Sequence, residues 1–181
     1  MMKTWRLKTP IKERHLEKLK VGNKILLSGV IFTARDSAHK LLKKQIEEGK
    51  KTPFDLKGSV IYYAGPTPPK PGYLIGSIGP TTSYRMDKYA PFFYSLGVKA
   101  TIGKGSRSEE VMLALKKYKA VYLSAVGGIA ALLAKHVKKA EIIAYQELGT
   151  EAIRKLWVED FPCIVANDIY GNDLYKRVKE F

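Results

Sequence analysis

Apolar and polar positions along the chain follow two periodicities, one typical of strands and one typical of helices. Continuous apolar, β-branched runs predict strands, and apolar residues three or four positions apart predict helices. Strands are predicted at 24–33 (either a strand or a hairpin arm bent around Gly29), 60–64, 100–102, 120–124, 141–145 and 161–166. Helices are predicted at 36–48, 84–96, 108–118 and 172–180, with one more opening at Gly127 and Gly128. Strand and helix alternate after residue 98, which favours a mixed α/β fold.

Length and composition indicate a single domain over residues 1–181, with 45% hydrophobic and 27% charged residues. These fractions are typical of a globular protein and leave little room for disorder. No run of about 18 apolar residues occurs, so no membrane-spanning helix is expected. The first residues lack the apolar core of a secretory signal, and we therefore expect a cytoplasmic protein.

The chain has one cysteine, Cys163, and three scattered histidines. A single thiol excludes an intrachain disulfide and cannot hold an iron–sulfur cluster in the usual way. The histidine spacings match no zinc motif. Cys163 lies in an apolar run and is predicted to be a buried small hydrophobe, and His39 is predicted to face inward on its helix. Any metal chemistry is therefore expected to come from outside this chain.

The net charge of +15 indicates an anionic partner, which could be a nucleic acid, an acidic subunit or an anionic substrate. Most lysines are spread along helix faces, where solvation alone explains them. No aromatic RNA-recognition motif, GXXG clamp or zinc knuckle is present. A non-catalytic, basic nucleic-acid-binding domain stays open as an alternative, but it is not the favoured interpretation.

Three segments carry polar groups where a strand gives way to a helix, the place where backbone N–H groups can hold an anion. Arg35 ends the first predicted strand beside Asp36, a plausible N-cap. It could bind a carboxylate in a bidentate pair or form a structural ion pair with a neighbouring acid. In the second segment Arg85 follows Thr81 by four residues, so one helical turn would bring the two together.

The third segment places Lys104 between two glycines, just before a helix. Ser106 and Glu109 have the spacing of a capping box, which predicts that this helix starts there. A phosphate-binding P-loop is disfavoured, because Gly105 stands where a serine or threonine must follow the lysine. Taken together, the three segments supply three cations around a pair of threonines, a set that would suit the two carboxylates of a small diacid.

At these same segments the sequence resembles the β subunit of class I iron–sulfur-dependent fumarases and L(+)-tartrate dehydratases, a unit that is also the C-terminal domain of single-chain members. The matching stretches are SGVIFTARDSAHK (28–40), VIYYAGPTPPKPGYLIGSIGPTTSYRMDKYAP (60–91) and GVKATIGKGSRS (97–108). The flanks, including 127–137, match more loosely. The resemblance implies a single mixed α/β domain of the swivelling β/β/α type.

The same resemblance implies reversible hydration of fumarate to (S)-malate by a hydro-lyase, or the corresponding reaction of an L(+)-tartrate dehydratase. Arg35, Arg85 and Lys104 would bind the dicarboxylate, with Lys104 also aiding catalysis. Thr81 would be the candidate base, and Thr82 is the alternative that stays open. A partner α subunit would carry the [4Fe–4S] cluster and the general acid. We further expect a homodimer of αβ units, with no nucleic acid or membrane bound.

Overall fold

The computed structural model describes residues 3–126 and 128–178. Within these ranges, seven strands form one sheet. The strands are β1 (Thr4–Lys8), β2 (Lys24–Thr33), β3 (Val60–Tyr62), β4 (Ala100–Gly103), β5 (Val121–Ser124), β6 (Val137–Ala144) and β7 (Ile153–Asn167). The α-helices are α1 (Glu13–Leu16), α2 (Asp36–Glu47), α3 (Ala90–Ser95), α4 (Glu109–Tyr118), α5 (Ala130–Lys135) and α6 (Leu174–Val178). Two 3-10 helices span Ser83–Met86 and Gln146–Glu151.

The sheet closes on itself. Strands β2, β3, β4 and β5 lie parallel in that order, and β7 pairs antiparallel with both β5 and β2. β1 adds to the first half of β2, and β6 adds to the first half of β7. The register of β2 against β7 shifts between Leu27 and Gly29, and Gly29 has a φ of +111°. This β-bulge accounts for the bend that the sequence predicted around Gly29.

Alternate residues of the parallel strands face two different hydrophobic clusters. In β3, Val60 and Tyr62 belong to the cluster inside the ring, whereas Ile61 belongs to the cluster outside it. Such alternation follows from the two-residue period of a strand. The outer cluster also contains the apolar faces of α2, α3 and α4. Helices therefore cover one side of the ring and leave the ends of its parallel strands accessible.

The predicted helix over 84–96 is wrong as a single element. The structure has the 3-10 helix Ser83–Met86, a turn over 87–89, and then α3. Pro91 lies in the first turn of α3, where its missing N–H costs nothing. In a continuous helix its ring would clash with the carbonyl group of Asp87, four residues earlier. The break also frees the Asp87 carboxylate, which accepts a hydrogen bond from the Ser108 N–H at 2.6 Å.

Two predicted helix caps are also wrong, although both helices exist. Arg35, and not Asp36, occupies the N-cap position of α2 and makes no side-chain cap bond. The start of α4 is capped by Ser108, whose Oγ accepts from the Val111 N–H at 3.3 Å, so Ser106 is not the cap.

The other predicted elements occur, with changed limits. β6 and β7 both start earlier than predicted, and β7 extends over 15 residues. β1, α1 and the 3-10 helix Gln146–Glu151 were not predicted. Gly127 lies outside the described residues, as does the predicted helix beyond residue 178. None of the helices in the described ranges is long and apolar enough to cross a membrane.

Candidate functional site at the ends of the parallel strands

The three predicted segments meet at one edge of the ring. Arg35 follows the end of β2, and Lys104 follows the end of β4 directly. Between them, the loop after β3 returns to the sheet, where the Thr81 N–H donates to the Tyr63 carbonyl group at 2.7 Å. The carboxyl ends of parallel strands are where open α/β sheets collect their binding groups. The three segments therefore lie at one edge of the ring, and the roles predicted for their residues stay predictions.

The threonine loop is hydrogen-bonded to the Lys104 loop through the backbone. The Lys104 N–H donates to the Thr81 carbonyl group at 3.3 Å, and the Ser83 N–H donates to the Lys104 carbonyl group at 2.9 Å. These bonds form a short parallel bridge in which Thr82 pairs with Lys104. Both backbone polar groups of Thr81 are thus held in place, and its side chain is half-buried, whereas Thr82 and Lys104 are exposed.

The close approach of these two loops requires glycine at position 103. A Cβ atom on Gly103 would lie 1.9 Å from Ser83 Oγ and 3.0 Å from a Tyr63 ring carbon. Ser83 is fully buried, and its Oγ lies 2.9 Å from Tyr122 Oη. Gly103 therefore serves the packing of two loops, which agrees with the weakness of the P-loop interpretation.

Arg85 is held by a carboxylate from the neighbouring segment. Its Nε donates to Asp36 Oδ1 at 3.0 Å, and its Nη2 lies 2.9 Å from Oδ2 but off the line of a hydrogen bond. The Arg85 side chain is half exposed. Because the pair with Asp36 occupies one edge of the guanidinium, other N–H groups of Arg85 still face solvent. The Thr81 backbone precedes the 3-10 helix, so Arg85 turns toward Asp36 and α2 and not back along a helical turn as predicted.

Arg35 is held by an acid that the sequence analysis did not identify. Its Nη2 lies 3.7 Å from Glu151 Oε1, and Glu151 Oε2 accepts from the Ser37 N–H at 2.8 Å. Glu151 thus caps the start of α2 and contacts the arginine at the same time. The ion pair that the sequence left open for Arg35 is present, with Glu151 as the acid, whereas its binding of a substrate carboxylate stays a prediction. Among the described residues, the buried Nε of Arg35 has no hydrogen-bond partner.

His39 faces inward, as predicted, and supports the Arg35 backbone. Its Nδ1 lies 2.8 Å from the Arg35 carbonyl oxygen, and its ring packs against Tyr63, Tyr89 and Phe93. Burial away from water lowers the pKa of His39 to about 4. The neutral imidazole therefore donates its Nδ1 proton to the carbonyl oxygen.

The free energy of unfolding is expected to fall by about 3 kcal/mol as the pH drops from 6.5 to 4 because of His39. The unfolded chain binds the proton near pH 6.5, whereas the folded chain does so only near 4. The stabilisation is complete above the first value and is lost toward the second. Urea unfolding across this range would measure it, with a His39→Asn variant showing a flatter profile and a His136→Asn variant keeping the original slope. An unchanged slope in His39→Asn would contradict the assignment.

The local charges leave one net positive charge at this edge, since Arg35, Arg85 and Lys104 outnumber Asp36 and Glu151 by one. Such a surface attracts a small anion without trapping it. Within residues 3–126 and 128–178, no group of three or more His, Cys, Asp or Glu side chains could hold a metal ion. Cys163 is buried, as predicted, and burial raises the pKa of its thiol far above the usual range. The described residues therefore do not fit an iron–sulfur cluster.

A family model described as "Fumarase C-terminus" matches residues 2–178. The chain belongs to the fumarase C-terminus family. The sequence resemblance to this family is thereby confirmed.

Relatives in this family have two different lengths. This chain is 43% identical over 175 residues to "Fumarate hydratase 2" of Leishmania major, covering 94% of this chain and 31% of the relative. It is 43% identical over 176 residues to "Fumarate hydratase class I, anaerobic" of Escherichia coli (strain K12), covering 95% and 32%. It is 42% identical over 174 residues to "Putative L(+)-tartrate dehydratase subunit beta" of Methanocaldococcus jannaschii, covering 93% and 89%. The chain thus spans about a third of the fumarate hydratases but most of the subunit.

Proposed function

We propose that this fumarase C-terminus chain is the β subunit of an iron–sulfur hydro-lyase that reversibly hydrates fumarate to (S)-malate. Its fold would be the swivelling β/β/α type, and it would work in a homodimer of αβ units. The observation that carries the proposal is the convergence of Arg35, Arg85, Lys104 and the threonine loop on one accessible edge of a domain from this family.

The substrate that suits this edge is a four-carbon dianion. The guanidinium groups of Arg35 and Arg85 match the planar geometry of a carboxylate, and both are already oriented by Glu151 and Asp36. The ammonium group of Lys104 adds a mobile positive charge. When a proton leaves the carbon beside a carboxylate, negative charge builds on that carboxylate. Cations fixed before the reaction stabilise this charge most effectively.

Thr81 is proposed as the base that removes and returns this proton. A threonine hydroxyl is a weak base, and nearby cations favour its deprotonated form. The backbone of Thr81 is tied to Tyr63 on one side and to Lys104 on the other, so its position relative to Lys104 is fixed. Thr82 stays the alternative, because the bridge aligns it with Lys104.

The cluster is proposed to reside on a partner chain, because the described residues of this chain do not fit it. The lengths of the relatives support this division. This domain corresponds to about a third of the fumarate hydratases, whereas the relative of similar length is named a subunit. The open edge and the unsatisfied Arg35 Nε also agree with a site that a second chain completes. This chain alone would then be inactive.

An L(+)-tartrate dehydratase β subunit is the second candidate. It is favoured by the relative from Methanocaldococcus jannaschii, which carries that name and matches this chain over 89% of its length. Tartrate is also a four-carbon dianion, so the same cations would serve it. The contacts that distinguish the two diacids would lie around the middle carbons.

The test is anaerobic purification of the complex from the source organism, followed by assays with fumarate and with L-tartrate. Hydration of fumarate by a complex that contains iron and a second chain would support the proposal. Faster turnover of tartrate would favour the second candidate. A chain that purifies without an iron-containing partner and shifts nucleic acid in a salt-sensitive gel assay would overturn both.

A further inference from the structure

The backbone around Lys104 is held on all four sides, although the lysine side chain is exposed. Each of the two peptide groups that flank its Cα atom has its N–H and its carbonyl group engaged. In the preceding peptide group, the Gly103 carbonyl group accepts from Ala125 at 2.9 Å and the Lys104 N–H donates to Thr81. In the following one, the Lys104 carbonyl group accepts from the Ser83 N–H.

The fourth bond comes from a side chain far along the sequence. The Gly105 N–H donates to Tyr175 Oη at 3.1 Å. Tyr175 lies in α6, whose start is fixed by a 2.9 Å bond from the Tyr175 N–H to Asp173 Oδ1. The Tyr175 hydroxyl also lies 3.2 Å from Ser124 Oγ at the end of β5. Of the four groups that hold the peptide groups beside Lys104, Tyr175 is therefore the one supplied by a side chain.

A second tyrosine holds the other side of Gly105. Tyr122 Oη donates to the Gly105 carbonyl group at 2.9 Å, and Ser83 Oγ lies 2.9 Å from the same hydroxyl. Because the Tyr122 proton is used on the carbonyl group, Ser83 must donate to Tyr122. Gly105 adopts a φ of +81°, which a side-chain-bearing residue would rarely hold. The two tyrosine hydroxyls, here called the tyrosine clamp, thus grip both polar groups of Gly105.

We propose that Tyr175 is a positioning residue that sets the direction of Lys104 toward the bound carboxylate, and this inference rests on the proposed function. A lysine has four rotatable bonds, so its ammonium group is useful in a site only if its Cα atom is fixed. The tyrosine clamp fixes the backbone on which the Lys104 side chain stands, with Tyr122 acting from β5 and Tyr175 from α6. The C-terminal helix and the catalytic edge are thereby coupled through one hydroxyl group.

The first test is a Tyr175→Phe substitution in the complex with the partner chain. The ring stays and the hydroxyl is lost, so kcat should fall about 3- to 10-fold, the equivalent of one hydrogen bond. The matched control is Tyr170→Phe, which removes a hydroxyl that donates to the Glu17 carbonyl group at 2.8 Å elsewhere on the same C-terminal segment. It should leave kcat unchanged. Equal kcat values for Tyr175→Phe and the original complex would overturn the proposal.

A double substitution separates positioning from a general loss of structure. If Tyr175 acts through Lys104, adding Tyr175→Phe to Lys104→Ala should change kcat/KM less than about twofold. A full-sized effect in the Lys104→Ala background would show that Tyr175 acts elsewhere, and the proposal would fail.

Hydrogen–deuterium exchange gives a readout that needs no activity. In Tyr175→Phe the Gly105 amide should exchange faster, while the Ala125 amide, which donates to Gly103, should keep its rate. Unchanged exchange at Gly105 would contradict the clamp. If the original complex neither hydrates fumarate nor dehydrates L-tartrate, the proposed function fails, and the exchange experiment still decides whether Tyr175 fixes the peptide group between Lys104 and Gly105.

Discussion

Replacing Thr81 by alanine is expected to lower kcat for fumarate hydration at least about 100-fold, because general-base catalysis contributes 10²–10⁴-fold in enzymes. The substitution removes the hydroxyl and leaves the backbone bonds to Tyr63 and Lys104 in place. KM should change little, since the cations that bind the carboxylates remain. Steady-state assays of the anaerobic complex, with thermal unfolding of each variant, would measure both effects.

The neighbouring threonine provides the matched control. Thr82→Ala removes the same atoms one residue further along an exposed stretch, and it is expected to lower kcat less than about tenfold. Reversed effects, with Thr82→Ala the more damaging, would assign the base to Thr82. If both substitutions lower kcat only slightly, neither threonine is the base, and the base would be assigned to the partner chain.

Replacing Arg107 by methionine is expected to lower the free energy of unfolding by about 3–5 kcal/mol, the typical cost of breaking a buried ion pair. Arg107 Nε donates to Asp87 Oδ1 at 2.6 Å, and both side chains are almost fully buried. The guanidinium also lies over the Tyr122 ring, 4.8 Å from its centroid. Burial opposes the charged form of Arg107, but its neighbours Tyr63, Tyr94 and Asp87 outweigh this and raise its pKa.

Without the Arg107 side chain, the buried Asp87 carboxylate would lose the hydrogen bond from Arg107 Nε and keep the one from the Ser108 N–H. Urea denaturation of the isolated chain at pH 7 would measure the fall in the free energy of unfolding. The control is Arg6→Met, which breaks an exposed pair with Asp160 at 3.4 Å and should cost less than about 1 kcal/mol. Equal losses in the two variants would show that burial does not govern the strength of these pairs.

The elements that the sequence predicted well are those whose first and last residues are determined by neighbouring residues in the sequence. Gly49 ends α2 with a φ of +70°, and the apolar run 24–33 gives β2 as predicted. The break between the 3-10 helix Ser83–Met86 and α3 could have been inferred from Pro91, a signal that the helical spacing concealed. The length of β7 could not have been inferred from the sequence, because β7 pairs with three different strands and its limits depend on all of them.

The candidate site also combines residues whose positions follow from the local sequence with residues that only the fold brings together. The positions of Arg35 and Lys104 could be predicted because each follows the end of a strand, where chain direction places polar groups at one edge. Arg85 lies in the 3-10 helix Ser83–Met86 and reaches the same edge through its pair with Asp36. Glu151 and Tyr175 could not have been predicted, because each reaches the site from a distant part of the chain and lies in no motif. The buried ion pair of Asp87 and Arg107 could not be predicted either, because the two residues lie in separate segments of the sequence and meet only in the folded chain.

The closed ring has a consequence for how the protein acquires its shape during synthesis. β2 is made early, and its long antiparallel neighbour β7 is made last among the seven strands. Until β7 has left the ribosome, one side of β2 and one side of β5 stay unpaired, and such edges invite association with other chains. Pairing over so long a sequence separation is also slow. We therefore expect newly made chains to depend on chaperones until the last strand closes the ring. We also expect proteolytic cleavage within β7 to unfold the whole domain and not just its end.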